Sequence, residues 1–194
     1  MTTDRLEAFS DGVLAIILTI MVLELKVPHG DSLASLKPLV PVFASYVLSF
    51  LYIGIYWNNH HHMFQASKTV TGAVLWCNLH LLFWLSLLPF ATGWMGENHF
   101  AALPSALYGT VLLAAAIAYM LLQQAVIRAN GTGSLLKKAV GKDWKGKASP
   151  ALYFVAILAT AWAPWLSQLL YVAVAVLWFI PDRRIEKAVE QEEG

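Results

Sequence analysis

The sequence predicts an all-α polytopic membrane protein with six transmembrane helices per subunit. Of its 194 residues, 58% are hydrophobic and only 13% are charged, against about 25% charged residues in a soluble domain. The charges are confined to short segments between long apolar runs, and about 20 apolar residues suffice to cross the hydrocarbon core. Six such runs use most of the chain, so residues 1–194 are read as one domain, with spans at approximately 8–26, 38–62, 70–94, 103–128, 148–162 and 164–181. A net charge of +1 gives no ground for a nucleic-acid partner. One cysteine, Cys77, excludes an intrachain disulfide.

The first run, Gly12 to Leu25, is entered through the polar stretch Arg5 to Asp11. Asp4 and Glu7, with no small-residue cleavage site after the run, argue against a signal peptide, so this span is expected to be kept. Pro28, Gly30 and Asp31 make a turn. The second run, Pro38 to Trp57, ends at the polar cluster Asn58 to His62. Lys68 lies in a short link before the third run, Val70 to Trp94, which has Pro89 near its end. The fourth run, Leu103 to Ile127, stops at Arg128, and the hydrophilic segment Ala129 to Lys147 follows as a loop. The remaining apolar stretch, Ala148 to Ile180, would make a single helix about 50 Å long at ~1.5 Å per residue, too long for one crossing. Trp162-Ala163-Pro164-Trp165 interrupts it, and proline breaks helices, so two short helices in a hairpin are expected.

Six spans place Arg5, Lys68, Arg128, the five lysines between Lys137 and Lys147, and Arg183, Arg184 and Lys187 on one side; the other side holds only Lys26 and Lys37. Positive residues favour the cytoplasm, so both termini are expected inside, in a multi-pass protein of the cell's inner (plasma) membrane. Trp57, Trp94, Trp162, Trp165 and Trp178 fall near span ends, where amphipathic rings prefer the interface. The mixed-charge tail Arg183 to Glu193 reads as a solvated helix end.

Two features of the first helix carry the functional reading. Asp11 borders an apolar helix, where an unpaired charge is expensive. Arg5 stands six residues earlier, an awkward helical pair, so Asn78 and His60 or His61 on other helices are the candidate partners; a solvated interfacial cap is the alternative. Beyond it, Ile16, Thr19, Ile20 and Leu23 are spaced 0, 3, 4 and 7 and share one helical face. On periodicity alone that face reads far sooner as a lipid or packing surface, which any apolar helix offers, than as a pore wall.

The string Arg5-Leu-Glu-Ala-Phe9-Ser10-Asp11, followed by Ala15-Ile16, Thr19 and Leu23-Glu24, resembles the R-x-x-x-F-S-D signature of the transmembrane protein 175 family, the lysosomal potassium channels and their bacterial relatives. Tyr56-Trp57-Asn58-Asn59-His60-His61 and the stretch from Asn78-Leu79 through Phe83 to Leu88-Pro89-Phe90 are similar too. The resemblance implies six-helix subunits assembled as homotetramers, with the first helices lining a central cation pathway. It implies that Ile16 forms a narrow constriction, that Thr19 supplies a hydroxyl layer one turn deeper, and that Leu23 forms a second apolar ring, with Ile20 on the same face. It also implies that Arg5, Phe9, Ser10 and Asp11 tie the first helix to its neighbours, and that Trp57 with His60 or His61 joins this polar network.

The expected function is therefore a potassium-permeable cation channel. A ring of Ile16 side chains would gate by dewetting, and Thr19 hydroxyls would replace part of an ion's hydration shell. No T-V-G-Y-G string is present, which excludes the carbonyl-cage filter and predicts modest selectivity. No arginine-rich span is present, so no voltage sensor is expected. His60, His61 and His62 point about 100° apart on a helix and cannot converge on one metal. His60 or His61 is expected to bond Asp11 or Ser10, with His62 solvated and Asn78 acting as interhelical glue. Glu24 stands at the far mouth, partly cancelled by Lys26. No enzymatic residue, metal, cofactor or small-molecule substrate is expected, only permeant potassium, and the partners are copies of the chain and membrane lipid. Two other classes remain: a secondary or proton-coupled transporter using Asp11, and a haem protein pairing His80 with His60 or His61.

Overall fold

A computed structural model describes residues 3–131, 134–140 and 143–179. The regular elements among them are all helical: α1 (Thr3–Leu23), a 3-10 segment at Leu33–Leu39, α2 (Val40–Gln65), α3 (Gly72–Ser86), α4 (Leu88–Glu97), α5 (Ala102–Asn130), α6 (Leu135–Val140), α7 (Trp144–Ala159) and α8 (Pro164–Phe179). Lipid offers no partner to a backbone amide, so apolar runs of this length close their own hydrogen bonds as helices. Four stretches are long and apolar enough to cross a bilayer, namely Thr3–Leu23, Leu33–Gln65, Gly72–Glu97 and Ala102–Asn130, and Pro164–Phe179 is a shorter apolar helix. The chain is an all-helical, multi-pass membrane protein.

Three departures from the expected boundaries have local causes. The third run is not one helix. The ring of Pro89 would collide with the carbonyl of Leu85, so α3 ends at Ser86 and the chain restarts as α4 with Pro89 in its first turn, where a missing N–H leaves nothing unpaired. The hydrophilic segment is not all loop. It contains α6 and the start of α7, which is capped by Asp143, whose carboxylate accepts the Gly146 N–H at 3.1 Å. Trp57, read as a span-end residue, stands well inside α2. The expected break before Pro164 is present. Between α7 and α8 the chain turns at residues 160–163, and Ser167 Oγ closes the hairpin by donating to the Ala156 carbonyl at 2.7 Å. The tail Arg183 to Glu193 and the last residues of the sixth expected span lie outside the described residues.

α5 packs against α3, α4, α7 and α8, while α2 packs against α1, α4 and α8. A row of hydroxyls joins these two hubs. Tyr52 Oη on α2 donates to the Tyr171 carbonyl on α8 at 2.6 Å, and Tyr171 Oη donates to the Ser105 carbonyl on α5 at 3.0 Å. Ser49 on α2 bonds both Thr92 on α4 at 2.7 Å and Tyr108 on α5 at 3.0 Å. Tyr52, Tyr108 and Tyr171 are fully buried. Two glycines permit the approach. A Cβ on Gly96 would lie 2.8 Å from the α2 backbone at Val42, and one on Gly109 would overlap Tyr171 Oη and lie 2.9 Å from Ile157.

Asn130, the last residue of α5, organises the link between α2 and α3. Its Oδ1 accepts the N–H groups of Lys68 and Thr69 at 2.8 and 3.0 Å, and its Nδ2 donates to Ser67 Oγ at 2.8 Å.

Replacing Gly109 with Ala should destabilise the protein by about 1–3 kcal/mol, the usual effect of overpacking. Thermal unfolding in detergent checks this. Gly93→Ala, with nothing within 4 Å of the added carbon, should melt no lower than the parent.

Candidate functional site

α1 has two unlike faces. Leu6, Ser10, Leu14, Ile17 and Met21 are buried, following the helical repeat along one side. On the other side Phe9, Ile16, Ile20 and Leu23 are 52%, 60%, 42% and 76% exposed, and Thr19 is exposed with them. The predicted pore residues thus share a face that nothing in the subunit covers. Thr19 Oγ1 donates its hydrogen to the Ala15 carbonyl at 2.9 Å, so only its lone pairs are left to point outward.

The buried face is fixed by a directed chain of hydrogen bonds. Ser10 Oγ donates to the Leu6 carbonyl at 2.9 Å and accepts from Asn78 Nδ2 on α3 at 2.9 Å. Asn78 turns its Oδ1 to His60 Nε2 on α2 at 2.8 Å. An amide oxygen only accepts, so Nε2 carries the hydrogen. Ser10, His60 and Asn78 are 0%, 2% and 1% exposed, so water cannot substitute for any member.

Two further attachments lie at the edge of the same interface. Trp57 Nε1 on α2 donates to Asp11 Oδ1 at 3.0 Å, and His61 Nδ1 stands 3.0 Å from Glu7 Oε1. Both sequence candidates for the histidine therefore take part, by separate routes. Neither bonds Asp11 or Ser10 directly as expected: His60 reaches Ser10 through Asn78, and Asp11 takes the indole. The indole lies closer because Trp57 stands one turn nearer the middle of α2 than His60 and His61, level with Asp11. Trp57 was expected in this network from the resemblance, though not as the partner of Asp11; the Glu7–His61 pair had no sequence signal beyond its charges. Arg5 and Phe9 are exposed, and Arg5 forms no hydrogen bond or ion pair among the described residues.

His62 is partly exposed and lies 3.4 Å from Gln65. His80 is exposed on α3 and accepts the Trp84 N–H at 2.9 Å, while His60 is buried against Asn78; the pairing a haem would need is not formed. Among the described residues no group of three or more His, Cys, Asp or Glu gathers as a metal site. At the other end of α1, Lys26 pairs with Glu97 of α4. That carboxylate, with a smaller contribution from Glu24, raises the lysine above its ordinary range.

Asn78→Ala strands the His60 N–H in a closed site and removes the bond that ties Ser10 to α3, while Ser10 keeps its bond to the Leu6 carbonyl. Such orphaned groups cost about 1–3 kcal/mol each in a water-soluble core, and interhelical bonds in membranes average about 0.6 kcal/mol. A loss of about 1–2 kcal/mol, read as a lowered melting temperature in detergent, is the expected outcome; an unchanged melt would show that the chain of bonds contributes nothing.

Residues 5–89 match the family described as the endosomal/lysosomal potassium channel TMEM175. The matched segment carries the whole of α1 from Arg5 together with Trp57, His60, His61 and Asn78. A potassium channel of Chryseobacterium sp. (strain P1-3) is 54% identical over 191 residues, covering 98% of this chain and 100% of that one. A potassium channel of Chamaesiphon minutus is 32% identical over 181 residues, covering 85% and 87%. The crystal structure of a lysosomal potassium-selective channel TMEM175 homologue from Chamaesiphon minutus matches with a TM-score of 0.80 at 30% identity, over 93% of this chain and 97% of that one. A chain that shares 54% of its residues with one bacterial potassium channel over 98% of its length, and its fold with the TMEM175 homologue, belongs to the TMEM175 potassium channel family.

Proposed function

We propose that this chain is the subunit of a potassium-permeable channel, in which four copies surround an axis and each contributes α1 to the pore wall. The observation that carries the reading is the uncovered face of Ile16, Thr19, Ile20 and Leu23, held in fixed orientation by the hydrogen bonds of Ser10 on the opposite side. The kinship with bacterial potassium channels supports it. In such a ring Ile16 forms an apolar neck that excludes water when narrow, and Leu23 forms a second. Thr19 lies between them with its hydroxyl hydrogen already committed, so it offers oxygen lone pairs to a partly dehydrated cation. The exposed Arg5 and Phe9 face the neighbouring subunit at the pore entrance, and Glu24 draws cations to the opposite mouth.

The α7–α8 hairpin supplies the fifth and sixth crossings in this reading. The distribution of lysine and arginine puts both termini and the 128–147 segment in the cytoplasm of a cell whose inner membrane holds the channel.

Ile16→Asn replaces the apolar neck with a wettable one. Potassium flux into liposomes should rise on the order of tenfold, equivalent to ~1.4 kcal/mol off the barrier. An unchanged flux, with a cysteine at position 16 unreactive toward water-borne reagents, would remove α1 from the pore. Flux that saturates and follows a proton gradient would instead favour a carrier.

Thr19→Val keeps the shape but removes the lone pairs. It should lower potassium flux and leave Ile16→Asn as a background in which the loss is still measurable.

A further inference from the structure

A second feature of the surface lies away from α1, in the groove between α3 and α5. The cleft has a volume of about 380 Å³, within the ~300–1,000 Å³ range of ligand sites. It exists because two well-packed helices meet there through small side chains: Ala73 and Cys77 on α3 oppose Ala125 on α5. Its lining changes character along its length. Leu121 and Cys77 form an apolar end, Gln124 follows one turn on, and Arg128 with Thr71 forms a polar mouth. From Leu121 to Arg128 the rise along α5 is about 10 Å at ~1.5 Å per residue.

The mouth is electropositive. Arg128 is the only charged residue that lines the cleft, and it makes no ion pair among the described residues. Asn130 pins the Ser67–Thr69 link to the end of α5, which keeps Lys68 at the same end. α3 also begins here, at Gly72; Thr71 Oγ1 already accepts the Val74 N–H, and the other amides of the first turn have no side-chain cap. An apolar trough with a cationic, donor-rich mouth at the cytoplasmic end of two membrane helices matches one chemistry: a lipid with an anionic phosphate headgroup, of the kind concentrated at that face of a membrane.

We propose that the α3–α5 groove is a binding site for an anionic phospholipid of the cytoplasmic leaflet. The phosphate meets Arg128 and Gln124, and one acyl chain runs past Ala73 and Cys77 to Leu121. The site neither touches α1 nor depends on the pore assignment, so a failed flux prediction leaves it standing.

The test is native mass spectrometry of the full chain released from detergent containing phosphatidylglycerol or phosphatidylcholine. The parent should retain phosphatidylglycerol in preference. Arg128→Gln should reduce that preference about fivefold, the effect of one basic residue near an anionic surface. Ala73→Phe, at an exposed position, fills the trough and should lower retention of both lipids. Lys37→Gln, at the opposite end of the spans, should change nothing. Melting temperatures within a few degrees of the parent confirm that each variant is folded. Equal retention of the two lipids by the parent, or an unaltered preference in Arg128→Gln, overturns the proposal. So does displacement of the lipid by excess inorganic phosphate, which would make the mouth a phosphate site only.

Discussion

The hydroxyl of Ser10 is buried where α1 meets α3, and the hydrogen bond it accepts from Asn78 is the buried constraint on where α1 can sit. In water, burying Leu6, Leu14, Ile17 and Met21 would hold such a helix with about 1.5–3 kcal/mol from each side chain. In a bilayer that drive is absent, because lipid tails are as apolar as leucine. Packing still rewards a close fit, but it does not select one rotation of an apolar helix over another. The Ser10–Asn78–His60 chain does. Rotating α1 by one residue would break the Asn78–Ser10 bond and leave a buried amide N–H without its acceptor in a medium without water. Through that constraint the face carrying Ile16, Thr19 and Leu23 acquires its direction.

The same economy governs the rest of the bundle. Tyr52, Ser49, Tyr108 and Tyr171 form a second polar seam, linking α2 to α4, α5 and α8. The two seams share α2. His60 and Trp57 belong to the first, Ser49 and Tyr52 to the second, and they lie two to three turns apart on one helix. α2 is thus the element that links the scaffold to α1. This arrangement explains why small residues cluster where they do: Gly96 and Gly109 let the second seam close, and a side chain at either would hold the helices apart.

Helix existence was legible in the sequence because it follows from length and hydropathy. The break before Pro164 was legible because proline has a fixed backbone chemistry. The restart at Leu88 rests on the same chemistry, but Pro89 was read as lying near the end of one helix rather than beginning another. The face of α1 was legible as a period, and Ser10 and Asp11 as polar groups in need of partners. The partners themselves were not. Which nitrogen or oxygen meets Asp11 depends on the relative height of two helices, and no sequence period encodes that; Trp57 and His61 differ by a single turn on α2. The tyrosine seam was invisible for a related reason. Tyrosine in an apolar run reads as an interface residue or a bulky hydrophobe, and only the approach of Tyr171 to Gly109 distinguishes a structural donor from either. Asn130 likewise resembles an ordinary helix end until its five hydrogen bonds to the α2–α3 link and to α5 are counted.

The continuity of α1 constrains how a pore built from it can choose among ions. From Thr3 to Leu23 the helix has no break, so the carbonyls along Ile16 and Thr19 are spent on its own amides. A cage of backbone oxygens is therefore unavailable on this wall, whatever the oligomer. What remains is side-chain chemistry: one hydroxyl layer flanked by branched apolar rings. Hydroxyl oxygens replace water less completely than a carbonyl cage, and the apolar rings discriminate by the work of dehydration rather than by fit. A potassium ion holds its water less tightly than sodium, so a dewetting neck favours potassium without any site shaped to it. In a pore lined by α1, selectivity would depend on how narrow an Ile16 ring is, and the orientation behind that width would rest on the bond from α3 to Ser10.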